Sequence, residues 1–320
     1  MAYYFTQQHE AFDLGAPFLF FDLNARQTFA TYRPSVLSME PAGSKYVARV
    51  LLYADQPPPW VTAAHWNPPF IWNPPFILRY YAAPGPGGRR QSENAWANEL
   101  AKWQPFDTPW VRFYFPRTLA FSAVQAQRAS AFCDSVVARL GLAGARPFDY
   151  YVMDSEEEVG QLFNFDYWLA YQTGFTRETV NRTFSARGRA QHRHEFVHMP
   201  YPPVANYFLA EGIATYLGGV GGYTPYQATL KALAAGLTQH HPAVTFRALY
   251  TNKFKYPTNS NPRYAAGALV YDLVQAQAGA AGFQQLETSD NTYESLVAHL
   301  APLLHLRPDK VDNHLIRAVL

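Results

Sequence analysis

Charge is scarce in this 320-residue chain: Asp, Glu, Lys and Arg make up only 16% of it, and 26 basic against 24 acidic residues leave a net charge of +2. No dense Lys/Arg run occurs, so the sequence gives no support to nucleic acid or another polyanion as partner. Cysteine is nearly missing. The single Cys133 rules out a disulfide within the chain, and its apolar neighbours in a predicted helix mark it as a small buried hydrophobe. No stretch reaches the ~20 consecutive apolar residues that cross a bilayer, so no transmembrane segment is expected. The first residues, Met-Ala-Tyr-Tyr-Phe, lack a basic head followed by an apolar run. The expectation is a soluble protein.

What the chain has in quantity is hydrophobic bulk. Hydrophobic residues are 48% and aromatics 16%, enough for a sizeable core in one large domain or two ordinary ones. With 25 prolines, the composition leans toward an extracytoplasmic or secreted protein.

Residues 1–105 read as a β-rich, aromatic and Pro-rich region. Short β-favouring runs at 17–22, 28–32 and 45–53 are separated by Pro, Gly and Ser signals. The hexapeptide Trp66-Asn-Pro-Pro-Phe-Ile is repeated at once as residues 72–77. Two copies fall short of a solenoid, and the Pro pairs cannot enter a central ladder, so an exposed loop or edge is expected, with a sticky aromatic binding surface as the other reading. Residues 84–90, Pro-Gly-Pro-Gly-Gly-Arg-Arg, read as a linker.

From 106 to 320 the pattern changes to strands alternating with helices, then to helices. Strands are expected at 110–115, 148–153 and 180–185. Ser122 is placed to cap a helix ending at Leu140 before Gly141. Ser155 with Glu158 reads as a capping box, and Glu156, Glu157 and Glu158 suit the positive end of a helix better than a metal cage.

The chemistry concentrates in His194-Glu195-Phe196-Val197-His198. Residues four apart on a helix share a face, so both imidazoles reach one ion, while Glu195 flanks that face close to the metal and free to hold a water. Phe196 and Val197 point elsewhere and anchor the helix. The prolines at 200, 202 and 203 must end it. Asn206 then caps a second helix through Leu217 that stops at Gly218-Gly219. Glu211 is the only carboxylate in that helix, among apolar neighbours, where it needs a partner or a metal. Two histidines, one glutamate and an open fourth position form a known catalytic zinc set.

His194 to His198 followed by Leu209-Ala-Glu-Gly-Ile-Ala-Thr-Tyr216 resembles the gluzincin clan of zinc metallopeptidases. The likeness is specific over 194–216, plausible in layout from about 110 onward, and absent from the first hundred residues. It implies an α+β, zincin-like catalytic domain: a small twisted sheet, the motif helix beneath it, and a mostly helical second half. It implies one Zn2+ per chain held by His194, His198 and Glu211, with Glu195 as general base for the hydrolysis of peptide or protein substrates. Thr215, one turn past Glu211, is either its brace or an ordinary helix residue. The clan's oxyanion donor falls best on Tyr264, reached through the loop 259–264, with Tyr250 and Tyr256 as substitutes. His192 reads as a surface residue or one behind the ligands, and His240-His241 as a helix end. Clan aminopeptidases carry a Gly-x-Met-Glu-Asn string that residues 174–178 lack, which favours endopeptidase action although Glu178 is nearby. The rival readings are a zincin-like binding protein that works through its aromatic amino-terminal region, and a zinc hydrolase of a non-peptide substrate.

Overall fold

The computed structural model describes residues 32–54, 75–85, 87, 90–93, 95–167, 174–177, 180–240, 243–251 and 261–320. The runs at 17–22 and 28–31, most of the doubled hexapeptide, Glu178, His241 and Tyr256 lie outside them. The fold mixes α and β, with two five-stranded sheets followed by a helical carboxy-terminal half.

The first sheet is antiparallel, in the order β1 (Arg33–Ala42), β2 (Lys45–Tyr53), β3 (Phe76–Pro84), β4 (Arg90–Glu93). The expected strand at 45–53 is β2. The doubled hexapeptide departs from expectation at its end: Phe76 and Ile77 open β3, and Phe76 is fully buried. The prolines stop one position before the ladder begins, so they do not oppose it. Beyond β4, the same edge of β3 also takes β8 (Phe165–Tyr167), through Ile77 and Leu78. This sheet is therefore joined by backbone pairing to residues far along the chain.

The second sheet runs β5 (Trp103–Asp107), β6 (Val111–Pro116), β7 (Phe148–Val152), β10 (Arg182–Ser185), β9 (Gly174–Arg177). Its three inner strands are parallel and its two outer ones antiparallel to their neighbours. Residue 105 falls within β5. Alternation sorts the faces. Val111, Phe113, Phe115, Phe148, Tyr150 and Val152 pack on α2 (Ala123–Leu140) through Ala126, Ala129 and Cys133. Cys133 is fully buried and its thiol is pushed up to about 12 by burial, as a small hydrophobe in a core should be. From the other face, Tyr151 and Phe184 join Trp96, from α1 (Ala95–Leu100), and Leu52, Phe76 and Leu78 of the first sheet in one aromatic core.

The helix signals act as expected. Ser122 Oγ accepts the Gln125 N–H, and Gly141 closes α2 in the left-handed region at φ 63°. Ser155 Oγ accepts the Glu158 N–H at the start of α3 (Glu156–Leu162), while the Glu158 carboxylate reaches back to the amide of Asp154, one residue before the cap.

The helical half centres on α8 (Pro262–Ala278), against which α5 (Tyr207–Gly218) crosses with almost no separation. A Cβ on Gly212 would meet the backbone of Gly267 at 2.8 Å, so this crossing requires glycine on both helices. Helices α6 (Tyr226–His240), α7 (Phe246–Thr251), α9 (Ala281–Leu286), α10 (Tyr293–Leu303) and α11 (Pro308–Val319) complete the core around it. Among the described residues no helix is long and apolar enough to cross a membrane.

Candidate metal centre

The motif forms α4 (Arg193–His198), a short helix that Pro200 prevents from continuing. Two apolar residues fix its rotation. Phe196 is fully buried against Phe148 and Tyr150, with edge-on ring contacts at 5.3 and 4.7 Å, and Val197 is buried in the helical core. One residue thus ties α4 to the sheet and the next to the helices. With both faces committed, His194, Glu195 and His198 are left for the cleft.

The next helix, α5, starts where Asn206 Oδ1 accepts the amides of Phe208 and Leu209. Its other end lies on the start of α4: a Cβ on Gly218 would meet the backbone of Arg193 and His194 at 2.6 Å. That contact carries the Gly219 carbonyl to His194 Nδ1, at 3.1 Å. A carbonyl only accepts, so Nδ1 carries the proton and Nε2 holds a lone pair.

The Nε2 of His194 faces Glu211 Oε2 at 3.0 Å, and one ligand atom from each of His194, His198 and Glu211 lies within 4.8 Å of the others. A lone pair and a carboxylate oxygen at that distance repel unless a proton or a cation sits between them. Burial works hardest against a charged His194, yet the hydrogen bond to Glu211 and the charges of Glu195 and Glu211 outweigh it and raise its pKa. Burial likewise opposes a charged Glu211, but His194, His198 and the Tyr264 hydroxyl together lower its pKa. Two imidazoles and a carboxylate, one imidazole already oriented through its far nitrogen, make a group that could hold a metal ion.

An open cleft of about 630 Å³ meets this cluster and is lined by Glu195, His198, Glu211, Tyr207, Tyr264 and Thr176 among others. Tyr264 stands in the first turn of α8, which Asn261 caps by accepting the Arg263 amide at 3.0 Å. Its ring stacks on His194 at 5.4 Å, and burial, with the nearby charge of Glu211, pushes its hydroxyl pKa up. The structure therefore brings all five expected residues, His194, Glu195, His198, Glu211 and Tyr264, to one place.

Other expectations fare differently. Thr215 is fully buried, and its hydroxyl makes no hydrogen bond among the described residues, so it does not brace Glu211. His192 is not on the surface. It is buried behind the site against Gly174, and burial pushes its pKa down to about 4. His240 ends α6, as expected of a helix end. Tyr250 is buried against Phe208 and takes a hydrogen bond from Asn206, outside the cleft lining.

Two residues of the site escaped the sequence reading. Tyr207 is four positions before Glu211, a helical spacing that could have exposed it. Thr176, on β9, donates to Glu195 Oε2 at 2.8 Å, and no local pattern marks it. No protein-family model matches the chain, and no curated protein matches it in sequence.

Proposed function

We propose that this chain is a zinc-dependent peptidase of the gluzincin kind, with a zincin-like catalytic region, in which His194, His198 and Glu211 hold the metal. The observation that carries the reading is the convergence of those three ligand atoms within 4.8 Å at a cleft that Glu195 also lines. When bound, zinc supplies Lewis acidity, polarising a carbonyl and making a bound water acidic near neutral pH.

The chain's own residues account for the proton traffic. Glu195 takes the proton released as a water O–H bond breaks and the water oxygen bonds to the carbonyl carbon. It passes that proton to the amine nitrogen as the C–N bond breaks, so water and peptide become an acid and an amine. Tyr264 is the donor toward the oxygen on which negative charge develops, and its stacking on His194 holds the ring in place. Among the described residues lining the cleft the only carboxylates are Glu195 and Glu211, both engaged. The departure of residues 174–178 from the clan's Gly-x-Met-Glu-Asn string is what favours internal cleavage.

Incubating a mixed peptide library with the protein, with and without a chelator, tests the reading. Cleavage at internal bonds, abolished by chelator and restored by Zn2+, is expected; an unaltered library from zinc-loaded protein would end it.

A further inference from the structure

Thr176 stands in β9, the edge strand of the second sheet, and its hydroxyl meets three groups. It lies 2.8 Å from Glu195 Oε2, 3.3 Å from Thr183 Oγ1 and 3.5 Å from the Glu195 carbonyl. A carboxylate has no proton to give, so the short contact assigns the single Thr176 proton to Glu195. The Thr176 oxygen is then free to accept, and Thr183, fully buried on β10, donates to it. The hydrogen bonds run in one direction, Thr183 to Thr176 to Glu195.

A Thr–Thr pair across two antiparallel strands is an ordinary device of strand pairing, and Thr176 is indeed opposite Thr183 in the β9–β10 register. What pairing does not require is the third partner. Glu195 comes from a different element, and its carboxylate takes the shortest of the three contacts. Bonding one carboxylate oxygen to a residue fixed in a sheet removes the side chain's rotational freedom. Because Glu195 lines the cleft, the other oxygen, Oε1, is the one left for a water there.

We propose that Thr176 is a positioning residue for Glu195: it holds Oε2 so that Oε1 is presented to the water whose proton Glu195 removes. The inference rests on the peptidase reading. A misplaced base loses rate without loosening substrate, because the lost alignment matters at proton transfer.

The test uses the full chain. Thr176→Val deletes the hydroxyl and keeps the branched shape, while Thr176→Ser keeps the hydroxyl. In zinc-loaded protein acting on a cleaved library peptide, the valine variant should lose about 10- to 100-fold in kcat, the range expected for a hydrogen bond to a charged group. Its KM should stay within about threefold and its zinc content unchanged, with the serine variant within about threefold of the parent throughout. Thr176→Cys, a weaker donor of similar volume, should fall between them and supplies the comparison if the valine variant does not fold. Independently of turnover, denaturant unfolding of the metal-free chain should show non-additive midpoints for Thr176→Val and Glu195→Ala, since each breaks the same bond. A valine variant within about twofold of the parent kcat, or additive midpoints, would overturn the proposal. If the parent hydrolyses no peptide, the peptidase reading fails by itself and the unfolding cycle still decides whether Thr176 holds Glu195.

Discussion

The two walls of the cleft are built by different rules. On the helical wall, His194, Glu195 and His198 occupy one turn of α4, and Glu211 comes from the next helix, so order along the chain maps directly onto order in space. On the sheet wall, Thr176 meets Glu195 across 19 positions because β9 happens to be the edge strand beside α4. Helix geometry decides which side chains form the His194, His198 and Glu211 group. Sheet topology decides what meets the Glu195 carboxylate beside it.

Removing the base from the helical wall should have the largest effect. Glu195→Gln keeps size and hydrogen-bonding ability but cannot accept a proton, so hydrolysis should fall by about 10³-fold or more while zinc content and unfolding midpoint stay at parent values. A variant as fast as the parent would remove Glu195 from the chemistry.

Tyr264→Phe comes next. A hydroxyl that acts on developing charge should contribute about 10²- to 10³-fold in kcat with little change in KM. A rate within about twofold of the parent would make Tyr264 only the ring that stacks on His194.

The sheet side is sharpened by Leu78→Ala. Leu78 is 1% exposed where β3, β8 and the aromatic core meet, and its truncation should cost about 2–4 kcal/mol. If the sheets share one core as a single cooperative unit, unfolding should remain one transition, and limited proteolysis should not release a carboxy-terminal fragment by cutting at 84–108. An early, separate transition of the amino-terminal sheet would instead favour two folding units divided near residue 105.

A pH-dependent effect lies behind the cleft. His192 is held neutral in the fold, chiefly by burial and to a lesser degree by His194 and Arg187, with its pKa near 4. The unfolded chain takes up the proton near pH 6.5, so the fold has this contribution in full above pH 6.5. It loses it as the pH falls toward 4, by about 3 kcal/mol in all. His192→Gln should flatten that part of the metal-free stability profile relative to the parent; an unchanged slope would mean that His192 titrates alike in both states.

How much of this was readable in the sequence follows the same division. The grouping of His194, His198 and Glu211, the caps at Ser122, Ser155 and Asn206, the strand at 45–53 and the Pro stop after His198 are all set by neighbours within a turn or two, and each appears in the structure. For Thr215 the sequence left two readings open, because helical spacing places it near Glu211 but does not say whether its hydroxyl bonds there; the buried, unbonded hydroxyl fits the ordinary helix residue. The doubled hexapeptide misled because its prolines end just before Phe76, and a strand can begin at that residue. Thr176 and the pairing of β3 with β8 depend on contacts between distant segments, for which a single sequence carries no period.

Zinc content tests the central claim most directly. Protein reconstituted with Zn2+ at neutral pH and freed of excess metal should carry about one zinc per chain, and His194→Ala, His198→Ala and Glu211→Ala should each lose most of it. Glu195→Gln should not. Parent protein without zinc under those conditions, or a Glu211→Ala variant that binds zinc as fully as the parent, would contradict the account.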